Sequence, residues 1–308
     1  MQKPVLSILV PIFNEEKNLP KLFHALRREA SSIALEVVFI DNGSKDKSMA
    51  LLKRFRATQK FPIVIAREKV KGFAPPLNRG VKAAASDLLV TLDADAVPQR
   101  GWARAMARSL GKFDLVVGNT VSRVHKRSTN AERAAAFLFR GFSKRAAEGK
   151  SHALPWGPTC NLGLRRTAYK AAGAFNPSIG SAFDLAWCWS AIQAGCILKY
   201  EARAVVNHMR RKSEKEFLQQ MFRYGTGEAV LAHTFSLLQE DRPFCDPQAP
   251  AREAYDRLRL RMGKRPLAKR AAAAFASGVF AGYAAHQKGN VLAKSGKIKE
   301  NSLAQGKN

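Results

Sequence analysis

Two aspartates separated by one residue, Asp93 and Asp95, follow directly on the apolar run Leu88 to Leu92. In an extended segment residues i and i+2 project to the same side, so both carboxylates face one way at the end of a strand. Carboxylate oxygen is a hard donor suited to Mg2+ or Mn2+. Such an ion bridges protein and phosphate oxygens and takes up charge as a phosphate departs. An isolated acid pair is common in solvated turns. The pair gains meaning here because two more polar sets stand in comparable positions: Asn14-Glu15-Glu16 after Val5 to Val10, and Asp41-Asn42-Gly43 after Glu36 to Ile40.

The elements that must position these groups are readable from apolar periodicity. Val5 to Val10, Glu36 to Ile40, Ile63 to Ala66 and Leu88 to Leu92 are short and close to continuously apolar, as strands buried on both faces of a parallel sheet are. Between them Leu19, Leu22, Phe23 and Leu26 recur at helical spacing behind Asn18, and Leu51, Leu52 and Phe55 do so behind Ser44 and Asp46. Alternating strands and helices predict an α/β chain with a doubly wound, mostly parallel sheet flanked by helices. Ligands of such sheets bind beyond the carboxyl ends of the strands, where the polar sets fall. Further on, helices are expected at Trp102 to Leu110, Ala131 to Ala147 and Ser213 to Leu238, the last interrupted at Gly225 and Gly227. Strands are expected at Leu115 to Val117 and Ile197 to Tyr200. Pro243, Pro247 and Pro250 mark a linker. The expected division is a catalytic domain over 1–240 and a basic, partly helical tail over 241–308.

The 308 residues carry 52 Lys and Arg against 24 acidic residues, a formal charge of +28. Such a chain attracts polyanions: RNA, DNA, anionic lipid or a phosphorylated substrate. Cys160, Cys188, Cys196 and Cys245 lack CxxC spacing and scaffold density, so they are expected as reduced core thiols. Val5 to Phe13 has no basic region of any length before it and is broken by Pro11, which suits a first strand rather than a leader. Ala271 to Ala285, flanked by Lys269, Arg270 and Lys288, falls short of the roughly 18 to 20 apolar residues that span a bilayer.

Val10-Pro11-Ile12-Phe13-Asn14-Glu15-Glu16, Ile40-Asp41-Asn42-Gly43-Ser44-Lys45-Asp46, Asn78-Arg79-Gly80 and Asp93-Ala94-Asp95 occur in one order along the chain. With those intervals the stretch from about Leu6 to Gly227 resembles family 2 glycosyltransferases of the GT-A fold, inverting enzymes that use nucleotide sugars. The resemblance implies that Pro11, Phe13, Asn14 and Glu15 frame the nucleotide, with the acid near the ribose. It implies that Asp41 bonds the base, commonly uracil, and that Asn78 and Asp93 lie on the nucleotide-sugar side. Asp95 would bind Mg2+ or Mn2+. His208 matches a histidine that some metal-dependent relatives add as a ligand. Asp184 would be the general base that removes the acceptor hydroxyl proton, although Phe183 stands where the family typically has glutamate and Ser190 where arginine is common.

Trp156, Arg166, Trp187, Arg210 and Arg223 are candidates for contact with the acceptor or the diphosphate. Plainer readings stand beside these: Asn14 as a helix cap, Asp41 as a turn residue, Asp184 as an N-cap, the tryptophans as core and the arginines as a solvated face. The implied activity moves a sugar from a nucleotide-diphosphate sugar, UDP-linked by expectation, to a hydroxyl or phosphate of a cell-envelope glycan or lipid-linked acceptor. The expected setting is cytoplasmic, peripheral on the inner face of the cell membrane, with the tail from Arg252 onward on anionic lipid. The competing arrangement packs a C-terminal helix on the catalytic domain. The rival functions are a transferase-like binding module without catalysis and a basic nucleic-acid-binding protein. The latter is disfavoured by the spread of charge and the lack of zinc spacing, an RNP-like aromatic motif or a GxxG clamp.

Overall fold

The structure is a computed structural model that describes residues 3–152, 154–236, 258 and 267–294. Its first half follows the expected alternation. Strands β1 (Leu6–Ile12), β2 (Leu35–Asp41), β3 (Ile63–Arg67) and β4 (Leu88–Leu92) are joined by helices α1 (Leu19–Ala30), α2 (Ser48–Ala57) and α3 (Ala74–Ala83). β1 pairs parallel with both β2 and β4, and β2 pairs parallel with β3. β2 is buried at every position, which is what a near-continuous apolar run between two helical layers produces.

The second half adds β5 (Ala96–Pro98), α4 (Trp102–Leu110), β6 (Leu115–Val121), α5 (Asn130–Leu138), α6 (Phe142–Ala147), β7 (Asn161–Arg165), α7 (Arg166–Ala172), a 3-10 segment (Pro177–Ala182), α8 (Phe183–Gln193) and β8 (Leu198–His208). The eight-stranded sheet runs β3-β2-β1-β4-β7-β6-β8-β5. β7 is antiparallel to β4 and β6, β5 is antiparallel to β8, and β6 is parallel to β8. Four of its seven pairings are therefore parallel, so the sheet is mixed with a parallel majority.

Three local expectations change. The helix expected across Ala131 to Ala147 divides at Gly141, which takes φ of 60°, a left-handed value that glycine adopts without a Cβ clash. β8 runs well past Tyr200 to His208, with a register break against β6 between Gly118 and Asn119. A Cβ on Gly118 would strike the Asn161 side chain and the Ala204 carbonyl, so only glycine lets the strands approach there. Helix α9 (Glu214–Ser236) is continuous through Gly225 and Gly227. Those glycines are places of close approach: Gly225 lies against the Phe275 carbonyl, and Gly227 against Ser181 and Ala182.

The partner of α9 is α10 (Ala268–Lys294). It buries Ala268, Ala271, Ala272, Phe275 and Val279 in a cluster with Phe217, Met221 and Ala229 of α9 and Leu138 of α5. Phe275 and Val279 thus face protein, as in the competing arrangement of a packed C-terminal helix, while Phe280 remains exposed. Arg270 pairs with Glu214 at 2.6 Å. No helix among the described residues is long and apolar enough to cross a membrane. The expected boundary near residue 240, the proline linker and the basic run from Arg252 to Arg265 lie outside the described residues, apart from Leu258.

Candidate active site

The loops after β1 and β2 are stitched to each other. Asn14 adopts φ of 57°, a left-handed conformation open to asparagine. Its Oδ1 accepts the Lys45 N–H at 2.8 Å and its own N–H donates to Ser44 Oγ at 3.0 Å. The Glu15 and Glu16 amides donate to Ser48 Oγ and Asp46 Oδ2. Asn14 therefore does not cap the following helix; it locks the turn that carries Glu15. Asp41 Oδ1 accepts the Ser44 N–H at 3.0 Å. Pro11 sits within β1 opposite Ile40. Phe13, 54% exposed, carries Lys71 Nζ 5.0 Å above its ring, and Lys71 also donates to the Asn42 carbonyl. An exposed ring beside Asp41 and a lysine forms a rim at the carboxyl edge of β1 and β2.

The acid pair and His208 are joined by strand pairing. β5 begins one residue after Asp95 and pairs with the end of β8, setting Ala96 opposite His208, and the Met209 N–H donates to the Asp95 carbonyl at 2.9 Å. His208 Nε2 then lies 3.0 Å from Asp95 Oδ1 and 3.5 Å from Asp93 Oδ2. These are ion-pair contacts off the direction of an N–H bond: both ring nitrogens are buried without an aligned hydrogen-bond partner among the described residues. Burial alone would lower the imidazole, but Asp95 and Asp93 override it and lift His208 to about 9. Asp95, buried yet facing His208, Arg211 and Arg210, is held below the usual carboxylate range. Burial pushes Glu15 up to about 7, with Asp95 and Asp93 adding to the rise against the Asn18 hydrogen bond and Arg211.

These residues fit a divalent ion. Two carboxylates and an imidazole converge, and the His208 ring is buried without an aligned hydrogen-bond partner among the described residues, an exception that an ion on one of its nitrogens would relieve. Asp93, His208 and the thiol of Cys160 each offer one donor atom within 4.8 Å of the others. Cys160 was expected as a core thiol. It lies instead at this cluster, brought there by the turn that enters β7.

Asp184 stands in the first turn of α8. Its Oδ2 accepts the Thr159 N–H at 3.1 Å and its Oδ1 the Leu185 N–H at 2.9 Å. Burial pushes its carboxyl up to about 6, the two N–H bonds oppose the rise, and Asp93 adds to it. The neighbouring Phe183 is buried and stacks on Phe73 with 6.3 Å between ring centroids. It is part of the core, and Asp184 is left as the carboxylate of that turn.

Several other candidates are placed elsewhere. Arg166 donates to the carbonyls of Val81, Ala84 and Ser86 and lies 3.4 Å from Asp87, at the end of β4 opposite Asp93. It cannot touch a ligand held at Asp95. Asn78 is a framework residue: its amide donates to the Phe175 carbonyl and accepts from the Phe175 N–H and the Tyr169 hydroxyl. Trp187 is 3% exposed, packs on Phe175 and donates to the Gly173 carbonyl, so it has no free face for a sugar. Trp156 is likewise buried, against Phe142, with its Nε1 donating to Ser151 Oγ. Arg223 is exposed on α9. Arg210 is held in place: its Nε donates to Ser122 Oγ at 2.6 Å and its guanidinium lies 4.6 Å over the Phe139 ring, within the field of Asp93 and Asp95. Arg211, the next residue along, reaches 4.0 Å from Asp95 Oδ2.

Comparison with known proteins bears on the family and the fold. The family model described as "Glycosyl transferase family 2" matches residues 7–173, which include β1 to β4, the acid pair, Cys160 and β7. A pre-mycofactocin glycosyltransferase of Mycobacterium tuberculosis is 28% identical over 232 residues, 73% of this chain and 47% of that protein, so the chain spans about half the length of that relative. Glycosyltransferase AglE of Haloferax volcanii is 26% identical over 232 residues, 73% of each chain. Among solved structures, the mannosyltransferase PcManGT from Pyrobaculum calidifontis, in complex with GDP-Man and Mn2+, superposes with a TM-score of 0.59 at 21% identity, over 97% of this chain and 82% of that one. The order of the motifs, the sheet that carries them and the extent of the match together make this chain a member of glycosyltransferase family 2, built on a GT-A-type α/β sheet.

Proposed function

We propose that the chain transfers a sugar, with inversion, from a nucleotide-diphosphate sugar to a hydroxyl or phosphate of a cell-envelope glycan or lipid-linked acceptor. The observation that carries this reading is the meeting of Glu15, Asp93, Asp95, His208 and Asp184 at the carboxyl edge of one sheet, in a chain whose family is shown. Phe13 and Asp41 form the rim where the nucleoside would rest, the ring stacking on the base and the carboxylate accepting from its N–H. Asp95 and His208, with Asp93 beside them, would hold Mg2+ or Mn2+. When bound, that ion supplies positive charge against the departing diphosphate. Support comes from the Mn2+ in the archaeal mannosyltransferase complex and from the unsatisfied ring of His208. Arg211, and Arg210 fixed by Ser122 and Phe139, add fixed positive charge on the same side.

Asp184 takes the acceptor proton in this scheme. Each of its oxygens accepts one backbone N–H, which fixes the carboxylate plane and leaves lone pairs for an acceptor hydroxyl. A carboxyl raised to about 6 is a better base near neutral pH than an ordinary aspartate and is still mostly ionised. The donor base stays within the proposal: uracil follows from the family resemblance, whereas the superposed mannosyltransferase carries a guanine nucleotide. The setting we propose is the inner face of the cell membrane. Its support is the charge of +28 and the exposed Phe222 and Phe280 of the α9 and α10 pair.

The test is a donor screen by mass spectrometry with UDP- and GDP-sugars, cell-envelope lipid extract as acceptor, and Mn2+ present or chelated. Metal-dependent transfer or hydrolysis of one donor supports the reading. Nucleotide binding without turnover of any donor would replace it with a binding module that has lost catalysis.

A further inference from the structure

We propose that Cys160 completes, with Asp93 and His208, a mixed oxygen, sulfur and nitrogen site that takes a thiophilic divalent ion, zinc foremost. Zinc held there would exclude the hard ion of sugar transfer. That consequence rests on the donor site proposed above; the binding itself does not.

The geometry comes first. One carboxylate oxygen of Asp93, Sγ of Cys160 and a ring nitrogen of His208 lie within 4.8 Å of one another. Tetrahedral zinc, with bonds of about 2.0 to 2.3 Å, holds its ligand atoms roughly 3.5 Å apart, so side-chain rotation closes the set without moving a strand. Three protein ligands and one open position are the zinc arrangement of accessible rather than purely structural sites.

The second observation is independent. Both nitrogens of His208 are buried with no aligned hydrogen-bond partner among the described residues, although two carboxylates lie within 3.5 Å. Buried polar atoms are nearly always satisfied, and an imidazole aimed into a cluster of donors is satisfied by an ion. Thr120 adds a third element. Its Oγ1 lies 3.8 Å from Cys160 Sγ, where the hydroxyl can donate to a thiolate and steady it. Among the described cysteines only Cys160 is so placed: Cys188 is buried against the Gly157 carbonyl, and Cys196 follows the turn at the end of α8.

The chemistry then selects the ion. Thiolate is a soft donor that adds affinity for zinc or cobalt and little for Mg2+ or Mn2+, and zinc stands above manganese in affinity for nitrogen and oxygen donors as well. Binding exchanges protons for metal bonds: the Cys160 S–H and the His208 imidazolium each give up H+ to solvent as the S–metal and N–metal bonds form, with no change of oxidation state. With Asp93 and His208 occupied in this way, the donor diphosphate loses two of the groups that define its ion position. Sugar transfer would stop.

The full-length protein, stripped with a chelator, is titrated with Co2+ in the absence of nucleotide. A thiolate-to-cobalt charge-transfer band in the near ultraviolet is expected, displaced by one equivalent of Zn2+. It should be lost in Cys160→Ser and in Cys160→Ala, with zinc affinity falling at least ~10-fold and Mn2+ affinity falling much less. Thr120→Val should retain the band with weakened affinity. A wild-type protein that binds Co2+ without the band, or a band undiminished in both Cys160 variants, overturns the inference. UDP and GDP binding with Mn2+, measured by calorimetry on the same preparation, separates the two readings. Nucleotide binding without a cobalt band removes the thiol site and keeps the donor site. A cobalt band without nucleotide binding keeps the thiol site and removes the donor site.

Discussion

Replacing Asp184 by asparagine should stabilise the protein at neutral pH while removing its activity, and the two effects have one cause. In the folded chain the carboxyl moves from an ordinary 3.8 to about 6. At about 1.4 kcal/mol per pH unit this corresponds to roughly 3 kcal/mol spent on holding the charge in place at pH 7.5. The sign follows from linkage. Because the folded-state value is raised, the folded form binds more protons between 3.8 and about 6, so the group's favourable contribution is complete below 3.8 and is lost as pH rises through about 6. Asparagine keeps one oxygen for the Thr159 or the Leu185 N–H and gives up the other bond, a loss of about 1 kcal/mol. The net expectation for the metal-free protein is a gain of about 2 kcal/mol at pH 7.5 that falls to roughly 0.5 kcal/mol at pH 5 and reverses below 3.8, where only the lost hydrogen bond remains. Denaturant unfolding of both proteins at the two pH values, with chelator present, measures this difference and cancels the titration of groups they share. Donor binding should be unchanged and turnover at least ~10² lower. In the wild type, turnover should fall about tenfold per pH unit on the acid limb, with a midpoint at or below 6, because an ion beside Asp93 offsets that aspartate's repulsion. A variant that is no more stable at pH 7.5 than at pH 5 relative to wild type refutes the buried-charge argument. Turnover above a tenth of wild type moves the base elsewhere.

Asp95→Asn should abolish the Mn2+-dependent component of UDP or GDP binding in calorimetry with far-ultraviolet circular dichroism unchanged; unaltered affinity would remove Asp95 from the ion site. Gly225→Ala should cost about 1 to 3 kcal/mol in denaturant unfolding, because its Cβ would meet the Phe275 carbonyl and force α9 and α10 apart. A neutral result would mean that the helices are not in such close contact. In vesicle flotation, the full chain should rise with phosphatidylglycerol vesicles, less so as salt increases, and not with neutral ones. A chain ending at Asp241 should stay down, and equal flotation of both would remove the tail from membrane attachment.

The strands that carry the site were legible because burial on both faces demands near-continuous apolar runs. Leu6–Ile12, Leu35–Asp41 and Leu88–Leu92 could hardly be anything else, and the acids that follow them had to stand at the carboxyl edge. The ordered motifs along that edge were enough for the family. What depends on contacts between distant segments was not legible. Arg166 and Asn78 have the right chemistry for a ligand, yet their hydrogen bonds go to carbonyls and amides tens of residues away, and nothing local announces that. Trp187 and Trp156 are apolar surfaces whose exposure only packing decides. Gly225 looks like a helix break until Phe275 is set against it, when the absence of a side chain becomes the condition for contact. Cys160 is a lone thiol in sequence, and pairing of β5 with β8 is what gathers His208 and the acid pair beside it. Local periodicity determines which residues are strand and which edge they end on; only long-range pairing determines which polar groups are already satisfied and which are left for a ligand.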